Sequence, residues 1–226
     1  MEAYHHSRIS FERELQQLEH DLLEMGARAE SMVVKAVDSL VLLDSGLAHE
    51  VMESDDELDA QDLVIENSCL RMLALQAPMA RDLRTIGTAM KMVTDLERVG
   101  DLAVDVAKIS LKIEAELGAT DFIDVRSMSN VALLMLRESL QAFVNRDLDL
   151  VREVCEKDDL VDQAYRDLRG QIHAYMRSNP EADVAASWLL LAIHHLERIA
   201  DHAVNIAERV NFVVTGKLES LSKHRP

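Results

Sequence analysis

Leu96-Glu97-Arg98-Val99-Gly100-Asp101-Leu102-Ala103-Val104-Asp105-Val106-Ala107-Lys108 returns one hundred positions later as Leu196-Glu197-Arg198-Ile199-Ala200-Asp201-His202-Ala203-Val204-Asn205-Ile206-Ala207-Glu208. Seven of these thirteen positions are identical and the apolar exchanges are conservative, so the chain reads as two copies of one structural unit. Each copy carries a Glu and an Asp four residues apart. On a helix that spacing sets both carboxylates on one face, one turn above the other.

The chain around this repeat is helical in composition. Its 226 residues include 7 Gly, 3 Pro and 4% aromatics beside 11 Met and 48% hydrophobic residues, which describes long helices with few turns. From Phe11 the apolar residues step by four and three through Leu15, Leu18, Leu22, Met25, Ala29, Met32 and Ala36, a heptad seam that predicts one long helix ending near Ser45-Gly46. A second helix is expected over about 47–75, stopping before Pro78, and a third over about 79–117, stopping at Gly118. The plan then repeats over about 122–144, 148–177 and 181–215, with Ser178-Asn179-Pro180 as punctuation and Gly216 as the last stop. The fold expected is all-α, two tandem three-helix bundles related by the internal repeat. The first spans 1–117 and the second 118–226, each large enough to bury its own interior. The tail from Lys217 to Pro226 is polar and expected to fray. The methionines fall mostly at seam spacing and read as core filler, as Trp188 does as a packing residue.

The net charge is −17, from 41 acidic against 24 basic residues. Such a field repels nucleic acid and anionic headgroups and attracts cations, so nucleic acid is excluded as a partner. Cys69 and Cys155 fall in different repeats with no CxxC neighbour, which reads as two reduced thiols of a cytoplasmic protein. The opening residues carry no basic stretch followed by an apolar one. The longest apolar patch, Ala185 to Ile193, is interrupted by Ser187 and falls far short of the ~20 residues a spanning helix needs. Membrane association is therefore expected only peripherally, through a protein partner.

At about 100° per residue, Met92, Leu96, Val99, Ala103 and Val106 form one stripe of the third helix, while Glu97, Asp101 and Asp105 form another roughly 120° away. Like charges four apart cost a few tenths of a kcal/mol per pair, so three in succession ask for a positive partner. The second helix adds Asp55, Asp59, Asp62 and Glu66, and the second half answers with Asp158, Asp159 and Asp162. Asp55/Asp59 and Asp158/Asp162 share one spacing and stand 103 positions apart. If the faces converge, each bundle offers four or more carboxylate oxygens, a set suited to Mg, Mn, Fe or Zn. The plain alternative is a solvated acidic face, with Arg98 and Arg198 neutralising Asp101 and Asp201. His194 shares the face of Glu197 and is a candidate extra ligand, whereas His195 and His202 point elsewhere. The first repeat has Thr94, Asp95 and Leu102 at the three matching places.

Ala74-Leu75-Gln76-Ala77-Pro78-Met79-Ala80-Arg81-Asp82-Leu83-Arg84, followed by Asp95-Leu96-Glu97-Arg98-Val99-Gly100-Asp101 and by the second copy from Leu196 to Glu208, resembles the PhoU family of phosphate-signalling proteins. The resemblance runs from about Phe11 to Gly216. It implies a cytoplasmic protein of two three-helix bundles whose Glu/Asp-x-x-x-Asp motifs bind metal clusters. Carried over by position, the implied metal-binding residues are Asp55, Asp59, Glu97 and Asp101 in the first bundle and Asp158, Asp162, Glu197 and Asp201 in the second, with Asp105 as an addition. Iron, zinc or manganese is the expected metal. Three departures bear on the number of ions and not on the fold: Leu102 stands where His is frequent, His195 where Asp is usual, and Ala200 where Gly is usual.

The function implied is a non-enzymatic adaptor. It couples the Pst phosphate ABC transporter, through its ATPase component, to the PhoR sensor histidine kinase and keeps the phosphate-starvation response off when phosphate is plentiful. An alternative is an accessory of a Pit-type phosphate permease. A third, from a different class, is a carboxylate-bridged di-iron enzyme. Such sites want Glu-x-x-His on two helices, and the sequence offers that spacing only at Glu2–His5. A surface at −17 repels phosphate, so anion sensing is expected in the partner. Symmetric helical surfaces also make a homodimer an expected assembly.

Overall fold

The computed structural model describes residues 2–76, 78–117 and 124–221. Six long helices account for nearly all of them: α1 (Glu2–Leu42), α2 (Ser45–Gln76), α3 (Ala80–Leu117), α4 (Arg126–Asn145), α5 (Leu148–Ser178) and α6 (Asp183–Thr215), with a 3-10 turn at Pro180–Ala182 before α6. No strand occurs among the described residues. No helix among them is long and apolar enough to cross a membrane. The expected junction near residues 117 to 121 falls mostly on 118–123, outside the described residues.

The order of six helices matches the sequence reading, and the ends differ in instructive ways. α1 begins nine residues before the Phe11 seam, at Glu2. The first turn comes earlier than Ser45-Gly46. Leu43 takes a left-handed φ of 51°, and the carboxylate of Asp44 accepts from the amides of Gly46 and Leu47 at 2.9 and 3.2 Å, capping α2. The second half builds the same turn 103 positions later. There Arg146 has φ 56° and Asp147 accepts from the amides of Asp149 and Leu150 at 2.9 and 3.1 Å. α6 ends as expected on Gly216, whose φ of 76° costs a glycine little.

The tail also departs from the reading. Glu208, buried on α6, accepts from the Ser220 hydroxyl at 3.0 Å and from the Leu221 amide at 2.7 Å, and Leu221 packs on the core. The chain is thus turned back onto α6 as far as residue 221. A buried carboxylate requires such donors, and the backbone after Gly216 supplies them.

The two halves lie side by side with antiparallel contacts. The most extensive interface joins α3 to α6, and α1 meets α4 alongside it. Arg84, near the start of α3, donates to the Val213 carbonyl near the end of α6 at 3.3 Å, while Lys112, near the end of α3, sits 3.8 Å over the ring of Trp188 near the start of α6. On the other layer Glu19 pairs with Arg146 at 2.5 Å, Glu30 with Arg137, and Asp38 with Arg126 at 3.3 Å. α2 packs on α1 and α3, and α5 on α4 and α6, so these two helices form the flanks. Buried apolar residues of both halves make one connected core.

Two glycines are required by close approach. A Cβ on Gly26 would lie 2.2 Å from Leu140 Cδ1, where α1 meets α4. A Cβ on Gly100 would lie 2.2 Å from Leu58 Cδ2, where α3 meets α2. The second half has Ala200 and Val161 at the places matching Gly100 and Leu58, so the added methyl there is matched by a shorter side chain. Both cysteines are free thiols. Burial first, and neighbouring acids second, push Cys69 up to about 12 and Cys155 up to about 11, which keeps them protonated and unreactive.

Candidate functional site

The apolar residues of α2 that face the core, among them Val51, Leu58, Ile65 and Cys69, fix the rotation of this helix. With them buried, the stripe of Asp55, Asp59 and Asp62 turns toward α3. Glu97 and Asp101 come to meet it from α3, held there by burial of Leu96, Val99 and Ala103. Electrostatics record the encounter. The carboxyl of Asp55 is raised by partial burial and by the charges of Asp59 and Asp101, with Lys108 opposing. Glu97 is raised by burial, then by Asp101, Asp59 and Asp62, with Arg98 opposing. Asp62 is raised by burial, Glu66 and Asp59. The guanidinium of Arg98 bridges its own helix, 2.7 Å from Asp101 Oδ2 and 3.3 Å from Glu97 Oε2.

The second half repeats the arrangement across α5 and α6. Glu197 rises to about 7, through burial first and then through the charges of Asp201, Asp162 and Asp158, against the opposing Arg198. Arg166 lies 3.8 Å from Asp162 Oδ2, and His194 Nδ1 is 3.4 Å from Glu197 Oε2. Eight of the sequence-derived residues are therefore drawn into two groups, Asp55, Asp59, Glu97 and Asp101 in one, Asp158, Asp162, Glu197 and Asp201 in the other. His194 borders the second. Asp105 lies instead against α6, where its charge acts on His195. The side chains of the Glu2–His5 pair lie outside the described residues.

Among the described residues no three His, Cys, Asp or Glu side chains are drawn together closely enough to hold an ion as they stand. The donor chemistry nonetheless fits a hard or borderline cation. Each group consists of carboxylates from two neighbouring helices; burial and neighbouring acids raise Asp55 and Glu97 in the first and Glu197 in the second, and a cation between the helices would oppose that rise. Asp55, Asp62, Glu97 and Glu197 are partly buried and feel the charges of neighbouring acids, whereas Asp59 and Asp201 are exposed, and Arg98 takes the neutralising role toward Asp101.

One pairing escaped the sequence reading. His202, set aside as pointing elsewhere, reaches across the interface to Asp95, with Nδ1 at 2.9 Å from Oδ1, and Asn205 donates to the same oxygen at 3.3 Å. The partners in the repeat are His195, Leu102 and Asp105, so the polar cluster is built differently on the two sides of the interface. His195 is buried, its Nδ1 has no hydrogen-bond partner, and burial lowers its basicity. The available signal was the exchange of Asp95 for His195 together with Leu102 for His202, two changes seven residues apart and therefore on one helical face.

Comparison with known proteins matches the PhoU domain over residues 22–110 and again over 125–210. The chain is 35% identical over 217 residues to a "Phosphate-specific transport system accessory protein PhoU homolog" of Clostridium acetobutylicum, covering 96% of this chain and 99% of that one. It is 38% identical over 213 residues to the protein of the same description in Pseudomonas aeruginosa, covering 94% and 88%. The crystal structure of PhoU from Pseudomonas aeruginosa superposes with a TM-score of 0.86 at 38% identity, covering 92% of this chain and all (100%) of that one. The phosphate transport system regulatory protein PhoU from Streptococcus pneumoniae gives 0.86 at 32% identity, covering 93% and 100%.

Proposed function

Since the chain belongs to the PhoU family, we propose that it serves as a non-enzymatic accessory of a phosphate-specific transport system, working in the cytoplasm and meeting the membrane only through its partners. In this reading its helical faces dock to the ATPase component of a phosphate ABC transporter and to a PhoR-type sensor histidine kinase, holding the starvation response off when phosphate is plentiful. The observation that carries the reading is the convergence of acidic pairs across α2–α3 and again across α5–α6, in a chain whose relatives are described by their part in phosphate transport.

Asp55, Asp59, Glu97 and Asp101 would hold metal in the first half, and Asp158, Asp162, Glu197 and Asp201 in the second. Iron, zinc or manganese would supply the positive charge that these carboxylates lack and tie each flanking helix to the centre. Arg98 steadies Glu97 and Asp101, and His194 steadies Glu197. Asp105, beside His195, would help from the interface.

Deleting the gene and assaying phosphatase expression at high phosphate tests the signalling role. Derepressed phosphatase is the expected result; a silent phenotype would move the protein to a transport accessory of the Pit type. Elemental analysis of the purified chain tests the metal sites. Asp101→Ala combined with Asp201→Ala should lower metal content and melting temperature together, and retention of full metal by that variant would reject the ligand assignment.

A further inference from the structure

The two ends of the molecule are closed by different turns. At one end α2 passes into α3 beside the end of α6, where Arg84 meets the Val213 carbonyl. At the other, α5 passes into α6 beside the end of α3, where Lys112 covers Trp188. The α5–α6 turn is polar. Ser178, Asn179, Glu181 and Asp183 build it, with Val184 as its exposed aliphatic residue. Asn179 donates its backbone amide and its side-chain amide to the Tyr175 carbonyl at 2.9 and 3.1 Å. The α2–α3 turn lies in the stretch from Ala74 to Arg84 that carries the family resemblance, and its chemistry is different. It presents Leu75, Met79 and Leu83, which are 73%, 79% and 48% exposed.

A turn between two such helices does not require large apolar residues, since its counterpart does without them. Nor do these side chains hold the fold together, because groups so open to water bury little area. Clustered apolar surface of this kind marks a contact with another molecule. Ala80 adds strain at the same place: its φ of 41° lies in the left-handed region that a residue with a Cβ avoids.

Charge says what kind of molecule. Arg81 is exposed beside the apolar residues. Behind it Arg146 pairs with Glu19 at 2.5 Å, and Arg81 acts on the same carboxylate, so two guanidiniums share one acid. Asp82 and Arg84 add one charge of each sign, which leaves the turn positive on a chain whose net charge is −17. Methionine and arginine together are the composition of a protein contact. An anionic bilayer would meet the remaining negative charge along with the turn. A hollow in a protein meets the turn alone, because charges more than about 8 Å away are screened at physiological salt.

We propose that the α2–α3 turn is the docking tip of this molecule, with Leu75, Met79 and Leu83 seated in an apolar hollow on the ATPase component of a phosphate ABC transporter and Arg81 paired with carboxylates on its rim. The choice of partner rests on the accessory role proposed above, in a chain whose relatives are described as belonging to a phosphate-specific transport system. The tip is separate from the acidic groups: Glu97 stands fourteen residues beyond Leu83 on α3, about 20 Å along the helix. Docking and metal content are therefore independent readouts.

The purified full chain and the purified ATPase component of the same cell's phosphate transporter provide the test, with affinity followed by biolayer interferometry. Leu75→Gln with Met79→Glu should weaken binding at least tenfold while circular dichroism, melting temperature and metal content stay those of wild type. Arg81→Gln should slow association and flatten its dependence on salt. Val184→Glu, at the opposite end, should change nothing. Benzoylphenylalanine at position 79 should photocross-link to the ATPase component, and at position 184 should not. Tip variants that bind as tightly as wild type, or a cross-link from position 184 alone, overturn the inference and leave the accessory role standing. Wild type that fails to bind the ATPase component rejects the accessory role, and the inference falls with it. Cosedimentation of wild type, but not of the double variant, with vesicles of anionic lipid would give the tip to a bilayer and equally overturn the inference.

Discussion

The acidic group between α2 and α3 and the one between α5 and α6 descend from one pattern and are charged differently. In the first, Lys108 offsets the carboxylates around Asp55. At the matching place the second half has Glu208, an anion buried on α6 and occupied with Ser220 and Leu221. The candidate ligands were kept through the duplication, and the compensating cation was not. Glu197 stands at about 7, raised by burial first and then by Asp201, Asp162 and Asp158, so a cation bound in the second site would have the larger rise to offset.

The comparison is tested most strongly with a chelator. Ligand binding at a thousandfold excess over Kd stabilises a fold by about 4 kcal/mol per site, so stripping metal should lower the melting temperature by many degrees. Asp201→Ala should remove more of that stabilisation than Asp101→Ala, read by calorimetry with and without added metal. Equal losses would break the distinction between the halves.

A second contrast concerns packing. Gly100→Ala forces a methyl onto Leu58 and should cost about 2 to 3 kcal/mol in denaturant unfolding. Adding Leu58→Val recreates the Ala200/Val161 combination and should recover most of the loss. If the double variant is no better than the single, the two helix crossings are not equivalent.

Glu197 supplies a pH dependence whose sign follows from its raised carboxyl. In metal-free protein the folded state holds the proton more tightly than the unfolded chain does. Its favourable contribution is complete below the ordinary carboxylate range and disappears as pH rises through about 7. The side chain is 27% exposed, and the loss should be on the order of 2 kcal/mol. Glu197→Gln should flatten the melting profile over that window, and Glu97→Gln should change it less.

The smallest effect is expected at the interface of the halves. His202→Leu installs the residue of the first repeat and leaves Asp95 with Asn205 alone, at a cost of about 1 kcal/mol by thermal unfolding.

The acidic groups were legible in the sequence because ligand spacing and helical period are both local, and Asp55, Asp59, Glu97 and Asp101 could be placed on their faces one helix at a time. The Asp95–His202 pair was not, because it depends on the antiparallel register of α3 against α6, which no single helical wheel contains. The turns illustrate the same limit. Leu43 and Arg146 adopt left-handed backbone although neither residue type favours it. The second turn falls between the helices expected over 122–144 and 148–177, whereas the first comes ahead of Ser45-Gly46, and its cap Asp44, 103 positions before Asp147, is the sequence signal that places it. The tail was misjudged because its anchor, Glu208, looks like one more surface acid until its burial is seen.

The α3–α6 and α1–α4 seams carry the joining of the halves, and the peptide between α3 and α4 is only one link among many. Severing that link would leave two polypeptides of three helices each, still clasped through Asp95, His202, Arg137 and Glu30 and a shared apolar interior. The molecule is in this sense a dimer of modules that happens to be encoded as one chain, and it lends itself to reconstitution from separately made fragments.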